Sequence, residues 1–303
     1  MTGDRHDARK SVHRDTTESP VCFAPPVMVD TAGLTHKGLV RPSNEDHFLI
    51  SRLGRYFERV STSLPPDDLP SRADDATYSL IVADGMGGHA SGEVASRLAI
   101  REIVRLALAL PDWITRIDDN TRDAAATRAQ DRIEQLNAMV IEGGQSNPEL
   151  RGMGCTLTAA RNLGRVLQIS HVGDSRAYLL RAGELHRLTR DHTYVQVLVD
   201  SGVISREEAA KSTSGHILIN AVGGSSEDVR VDVERVPLAN GDRVLLCTDG
   251  LTDSVDDDVI QTLLREGATA AAVSESLIAR ALQGGGRDNI TAVVAIYTWE
   301  DGD

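Results

Sequence analysis

The chain has 303 residues, enough for one large domain or two small ones, and its 41% hydrophobic and 25% charged content is that of a globular protein. A formal charge of −13 excludes a general nucleic-acid binder, which needs a basic surface to displace counterions. Aromatic residues make up only 3%, so the core has to be built from Val, Leu, Ile and Ala.

In chain order, residues 1–28 read as a disordered polar leader. Short strands are expected at 27–34 and 46–51, joined by a turn-rich stretch. The region 53–77 contains Pro65, Pro66 and Pro70 with several acids, so it cannot be a central strand and reads as a long exposed hairpin loop. The apolar run 79–83 reads as a strand and leads into Asp84-Gly85-Met86-Gly87-Gly88-His89. Ser91 is placed to cap a helix reaching Leu110, with Glu93 in the first turn where a negative charge suits the dipole. A second helix is expected at 123–142.

From Gly154 the pattern becomes strand-rich. Hairpins are expected from 155–161 with 165–171, and from 177–181 with 184–188. Helices at 193–201 and 205–211 precede strands at 229–236 and 243–248. Helices at 256–265 and 269–282 and a final strand at 290–297 complete the chain. Elements come in blocks rather than in strict βαβ alternation. That predicts an α+β fold of antiparallel sheets with helices packed outside them.

Cys22, Cys155 and Cys247 are odd in number and widely spaced, with no CxxC pair, which suits a reduced, cytoplasmic setting. No apolar run approaches the roughly 18 to 20 residues needed to cross a bilayer, so no membrane partner is expected.

Three acids lie at strand margins: Asp84 before Gly85, Asp249 before Gly250, and Asp288 just before the last strand. A strand end holds a carboxylate rigidly, and the adjacent glycine permits close approach of a ligand or a backbone carbonyl. Singly each would be a turn; together they suggest an oxygen-rich site for Mg²⁺ or Mn²⁺. Glu45 and Asp46 add adjacent acids at another strand mouth, and only one of them should meet the ions, since neighbours on a strand face opposite ways. Arg41 presents a rigid fork of donors suited to a phosphate dianion. Asp174, in Val172-Gly173-Asp174-Ser175, fits a capped turn as well as a ligand. The histidines have no metal-ligand spacing, which speaks against zinc. His89 stands slightly apart because it follows Gly87-Gly88. No P-loop and no GxSxG elbow is present.

In combination these residues resemble the bacterial PPM, or type 2C, metal-dependent serine/threonine protein phosphatases. The resemblance is carried in order by Arg41-Pro42-Ser43-Asn44-Glu45-Asp46, Asp84-Gly85-Met86-Gly87-Gly88-His89, Gly92-Glu93-Val94-Ala95-Ser96, Met153-Gly154-Cys155-Thr156-Leu157, Val172-Gly173-Asp174-Ser175-Arg176-Ala177, Thr189-Arg190-Asp191-His192, Cys247-Thr248-Asp249-Gly250-Leu251 and Arg287-Asp288-Asn289-Ile290-Thr291. It implies a single catalytic domain over 29–299, built as a central β-sandwich of two antiparallel sheets flanked by helices, with a mobile flap over 192–224. It further implies two Mn²⁺ or Mg²⁺ ions bridged by Asp84. The carbonyl of Gly85, Asp249, Asp288 and Glu45 or Asp46 would complete their shells, and Asp174 would hold a third ion. Arg41 would bind phosphate, and a hydroxide bridging the ions would attack phosphoserine or phosphothreonine in proteins.

Partners would be phosphoproteins and an opposing Ser/Thr kinase. The alternative is a phosphoprotein-binding scaffold of the same fold without turnover. Met86 stands where many animal members carry histidine, which leaves metal-bound water as the first candidate acid and His89 as a weak second. Gly215 replaces an arginine common in the flap of bacterial members.

Overall fold

The computed structural model describes residues 27–65, 69, 71–87, 90–109, 122–209, 212, 217–224 and 226–300. The expected leader lies outside the described residues apart from Val27 and Met28, as do His89, Gly215 and His216.

Two antiparallel sheets face each other. The first is ordered β1 (Met28–His36), β12 (Ile290–Thr298), β11 (Arg243–Cys247), β7 (Arg176–Arg181) and β8 (Glu184–Arg187). The second runs β10 (Asp232–Pro237), β6 (Val166–Val172), β5 (Leu157–Leu163) and β3 (Arg72–Met86), then the two-residue strands β4 (Gly154–Cys155) and β9 (Val222–Gly223). β2 (Asp46–Glu58) pairs with the other edge of β3.

Alternation along the central strands explains the layering. In β12, Val293, Ala295 and Tyr297 enter a core between the sheets, while Ala292, Val294 and Ile296 enter a second core beneath helices. β11 does the same, with Val244 and Leu246 inward and Leu245 and Cys247 outward. A strand buried on both faces must be apolar at both parities, so it reads as a continuous run. Helices α6 (Asp257–Glu266) and α7 (Ala270–Gln283) cover the first sheet through Ile260, Leu264, Val273 and Leu277. Helices α1 (Ala90–Ala109) and α2 (Arg122–Ser146) cover the second through Ala95, Ala99, Ile133, Leu136 and Val140. The expected sandwich with helices outside is therefore present. Short helices α3 (Tyr194–Asp200), α4 (Arg206–Ala209) and α5 (Asp249–Thr252) lie in the connections.

Three local expectations are corrected. The region 53–77 is not one loop: β2 continues to Glu58 and β3 begins at Arg72, pairing Leu53 with Thr77 through to Glu58 with Arg72. Pro65 falls beyond the paired stretch, where it costs no ladder hydrogen bond, and Pro66 and Pro70 lie outside the described residues. Ser91 does not cap α1, which already begins at Ala90; its Oγ donates back to the Gly87 carbonyl at 2.9 Å. Helix α2 runs past Glu142 through Gly143-Gly144 to Ser146. Those glycines serve packing, since a Cβ on Gly143 would lie 3.0 Å from Met153 Cε and one on Gly144 2.9 Å from the Leu150 carbonyl oxygen.

Candidate metal centre

The inward column of β3, Leu80 and Val82, has Asp84 as its next member. Directly across the ladder lies Asp46, in register with Asp84. From the facing sheet, Thr248 follows inward Leu246 and Thr291 precedes inward Val293, so their hydroxyls reach the same end of the inter-sheet core. The acids thus close one end of the sandwich because strand parity carries them there.

Asp46 is 3% exposed. Its Oδ2 accepts hydrogen bonds from Thr248 Oγ1 at 2.8 Å and Thr291 Oγ1 at 2.7 Å, while Oδ1 accepts none from any described residue. Burial lifts its pKa to about 7; the threonines pull down and the charges of Asp249 and Asp288 push further up. Burial, followed by Asp46, Asp249, Asp174 and Asp288, holds the Asp84 carboxyl well above the usual carboxylate range. The backbone N–H of Asp84 donates to Thr156 Oγ1 at 3.0 Å.

Glu45 turns the other way from Asp46. Its N–H donates to Asn289 Oδ1 at 2.7 Å and its carbonyl accepts from Ser96 Oγ at 2.6 Å and from Gly85 N–H at 3.2 Å. Its carboxylate sits over the first turn of α1, where a Cβ on Gly92 would come within 2.0 Å of Oε2. Gly85 itself has the Gly92 carbonyl oxygen 2.2 Å from where its Cβ would be, so the glycine serves a close backbone approach.

Asp249 opens α5, and Asp288 receives Arg41 Nη2 on Oδ2 at 2.6 Å and the Asn289 N–H on Oδ1 at 2.8 Å. The Asp288 hydrogen bond, the largest cause, raises the Arg41 pKa, with Glu45 and Asp249 adding to it. Asp174 is 8% exposed, in the turn between β6 and β7, and its charge reaches Asp84. Arg41, Glu45, Asp46, Asp84, Gly85, Asp174, Asp249 and Asp288 are thereby brought to one region; His89 lies outside the described residues.

Sequence reasoning missed the polar frame. Asn289 joins Glu45 to the carbonyls of Lys37 and Ser43, both at 2.9 Å, and Thr248 and Thr291 hold Asp46. The available signal was a threonine at inward parity at the margin of an apolar strand.

Among the described residues, no group of three or more His, Cys, Asp or Glu side chains is already arranged to hold a metal ion. The donors are oxygen only, burial and neighbouring acids hold the carboxyls of Asp46 and Asp84 above the usual carboxylate range, and one buried carboxylate oxygen is left without a hydrogen bond. That donor set fits hard divalent cations that retain waters.

The family model described as Protein phosphatase 2C matches residues 58–282. The serine/threonine protein phosphatase PstP of Mycobacterium tuberculosis is 41% identical over 228 residues, covering 73% of this chain and 41% of PstP, so the chain spans about two fifths of that relative. The serine/threonine phosphatase stp of Listeria monocytogenes is 35% identical over 260 residues, 86% of this chain and 92% of stp. Among solved structures, the catalytic domain of PstP in complex with two manganese ions superposes with a TM-score of 0.69 at 36% identity, over 90% of this chain and 99% of that one. The Streptococcus agalactiae (S. agalactiae) serine/threonine phosphatase gives 0.72 at 31%, over 90% and 100%. With the family match over most of its length and the acids gathered at one end of a two-sheet sandwich, this chain belongs to the protein phosphatase 2C family.

Proposed function

We propose that this chain hydrolyses phosphoserine and phosphothreonine in proteins, using two divalent cations, Mn²⁺ or Mg²⁺. Asp84, the Gly85 carbonyl, Asp249, Asp288 and Glu45 or Asp46 would hold the pair, and Asp174 a third ion. The observation that carries this reading is the cluster in which Asp84 feels Asp46, Asp249, Asp174 and Asp288 at one end of the sandwich. The manganese complex of the 36% identical PstP domain supports the choice of ion.

Two such ions, when bound, acidify a water and neutralise charge on the phosphoryl oxygens. The chain's own residues do the rest. Arg41 is 55% exposed and spends Nη2 on Asp288, which leaves other guanidinium N–H groups for a phosphate oxygen. Tethered to Asp288, that cation is fixed relative to the acids and need not be ordered by the substrate. Thr248 and Thr291 fix Asp46 so that its second oxygen keeps one orientation. The departing serine or threonine oxygen has to gain a proton, for which solvent in the site is the first candidate and His89 the second.

Such an enzyme would oppose a Ser/Thr kinase. No helix among the described residues is long and apolar enough to cross a membrane; the cytoplasmic setting rests on the cysteines.

Asp249→Asn keeps the shape of the side chain but removes its charge. It should lower hydrolysis of p-nitrophenyl phosphate and of a phosphothreonine peptide by about 10²-fold or more at saturating Mn²⁺, with an unchanged circular dichroism spectrum. A fully active Asp249→Asn protein would sink the proposal. Wild type that binds the phosphopeptide without Mn²⁺-dependent turnover would identify a scaffold instead.

A further inference from the structure

Helix α1 carries Arg97, Arg101 and Arg105 four residues apart, so the three lie along one face of the helix. That face borders a groove of about 600 Å³ between α1 and α2, floored by Leu98, Met139 and Met153. The arginine side chains are 62%, 70% and 60% exposed, on a chain whose formal charge is −13.

Two of these arginines are held in place by one acid. Glu102 is buried, and Arg101 Nε donates to its Oε1 at 3.0 Å while Arg105 Nε donates to its Oε2 at 2.5 Å. Both guanidinium groups meet the carboxylate through Nε. Apart from a 3.7 Å contact between Arg105 Nη2 and Met139 Sδ, their terminal nitrogens make no hydrogen bond to a described residue. Arg97 Nη1 lies 3.7 Å from Glu93 Oε1, beyond hydrogen-bond reach. Glu102 and Glu142 are the acids on the groove, so three cations face two anions there. Forks fixed in this way lose little freedom when they take a further anion.

The groove begins beside the acidic site. Met153 on its floor precedes β4, whose Gly154 and Cys155 pair with Met86 and Gly85. A Cβ on Gly87 would lie 3.4 Å from Met153 Cα, and Gly92 in the first turn of α1 abuts the Glu45 carboxylate. From Gly92, Arg101 and Arg105 stand about 13 and 20 Å further along the helix axis. An extended peptide spans those distances in about four to six residues.

We infer that the α1–α2 groove docks an acidic segment of the phosphoprotein substrate, about four to six residues from the phosphorylated side chain. The arginine forks take its carboxylates, and the apolar floor takes the side chains between them. The inference rests on the proposed phosphatase activity for the identity of the substrate, while binding of the segment needs no turnover.

The test uses the whole chain with Mn²⁺ and matched phosphothreonine peptides carrying glutamates or glutamines about four to six residues from the phosphothreonine, on either side. Wild type should hydrolyse a glutamate peptide with kcat/KM about fivefold above its glutamine counterpart, through KM, and the advantage should vanish at about 0.5 M KCl. Arg101→Gln/Arg105→Gln should abolish that advantage and leave p-nitrophenyl phosphate turnover unchanged. Because this variant strands the buried Glu102, Arg101→Gln/Glu102→Gln/Arg105→Gln is made beside it and should behave alike. Equal kcat/KM for both kinds of peptide in wild type, or an advantage that survives in the triple variant, would overturn the inference. A wild-type dimer that the triple variant dissociates would also overturn it and give the groove to a second copy of the chain. If no peptide is hydrolysed, the phosphatase reading fails and fluorescence anisotropy of the unphosphorylated glutamate peptides decides the groove. Binding that the triple variant loses supports docking, and absence of binding by wild type overturns it.

Discussion

At the scale of single residues, glycines set the shape of the site as much as acids do. Gly92 lies in the first turn of α1, where alanine would ordinarily favour the helix by about 1 kcal/mol. Here a Cβ would lie 2.0 Å from Glu45 Oε2 and 2.9 Å from the Gly85 carbonyl carbon. Gly92→Ala should therefore keep the helix and displace the carboxylate. The expected outcome is intact helical circular dichroism with Mn²⁺ affinity and turnover each reduced about tenfold, measured by calorimetry and phosphopeptide hydrolysis. Intact Mn²⁺ affinity would show that Glu45 does not serve the ions. Asp46 shows the opposite logic. Its immobility comes from two threonines on the facing sheet, which nothing local to Asp46 announces.

Among elements, the outer part of the β2–β3 hairpin is held by one partner strand alone. β5 pairs with β3 only from Ser79 to Val82, so the rungs from Leu53–Thr77 to Glu58–Arg72 form a two-stranded ribbon. Tyr56 is 71% and Val60 93% exposed. A ribbon of two strands contributes little independent stability. Tyr56→Ser should thus change unfolding free energy by no more than about 0.5 kcal/mol in a urea titration. Leu246→Ala, from β11 in the inter-sheet core, should cost about 2–5 kcal/mol in the same measurement. A large loss from Tyr56→Ser would mean that the ribbon packs on the body of the protein. The stretch read as a loop because its prolines and acids dominate the composition, whereas pairing of its flanks depends on a partner strand that no local window contains.

Across the whole molecule, the burial of one histidine makes stability depend on pH. His171 is 1% exposed; its Nδ1 lies 2.8 Å from Thr158 Oγ1 and its Nε2–H donates to the Arg190 carbonyl at 3.0 Å. Burial first, then the neighbouring His192, lowers its pKa from 6.5 to about 4, against opposing pulls from the Arg190 carbonyl, Asp191 and Asp232. Between those values the unfolded chain holds the proton and the folded one does not. This contribution is complete above pH 6.5 and is lost as pH falls toward 4, roughly 3 kcal/mol in all. His171→Gln should flatten that part of the profile, seen as a smaller difference between urea titrations at about pH 7.5 and about pH 5. An unchanged difference would place the acid sensitivity elsewhere.

Continuous apolar runs determined the central strands, because a strand covered on both faces must be apolar at every position; the runs ending at Asp84 and Asp249 were legible for that reason. Acid–glycine steps likewise marked the site before any contact was known. Tertiary structure alone decided that Asp46 is tied by Thr248 and Thr291, that α2 runs through two glycines, and that a histidine with no ligand spacing sits where the Gly173 turn and Asn220 meet. Each of these joins residues far apart in sequence. A hydrogen bond or a close backbone approach is set by distance in space, which the order of residues does not encode locally.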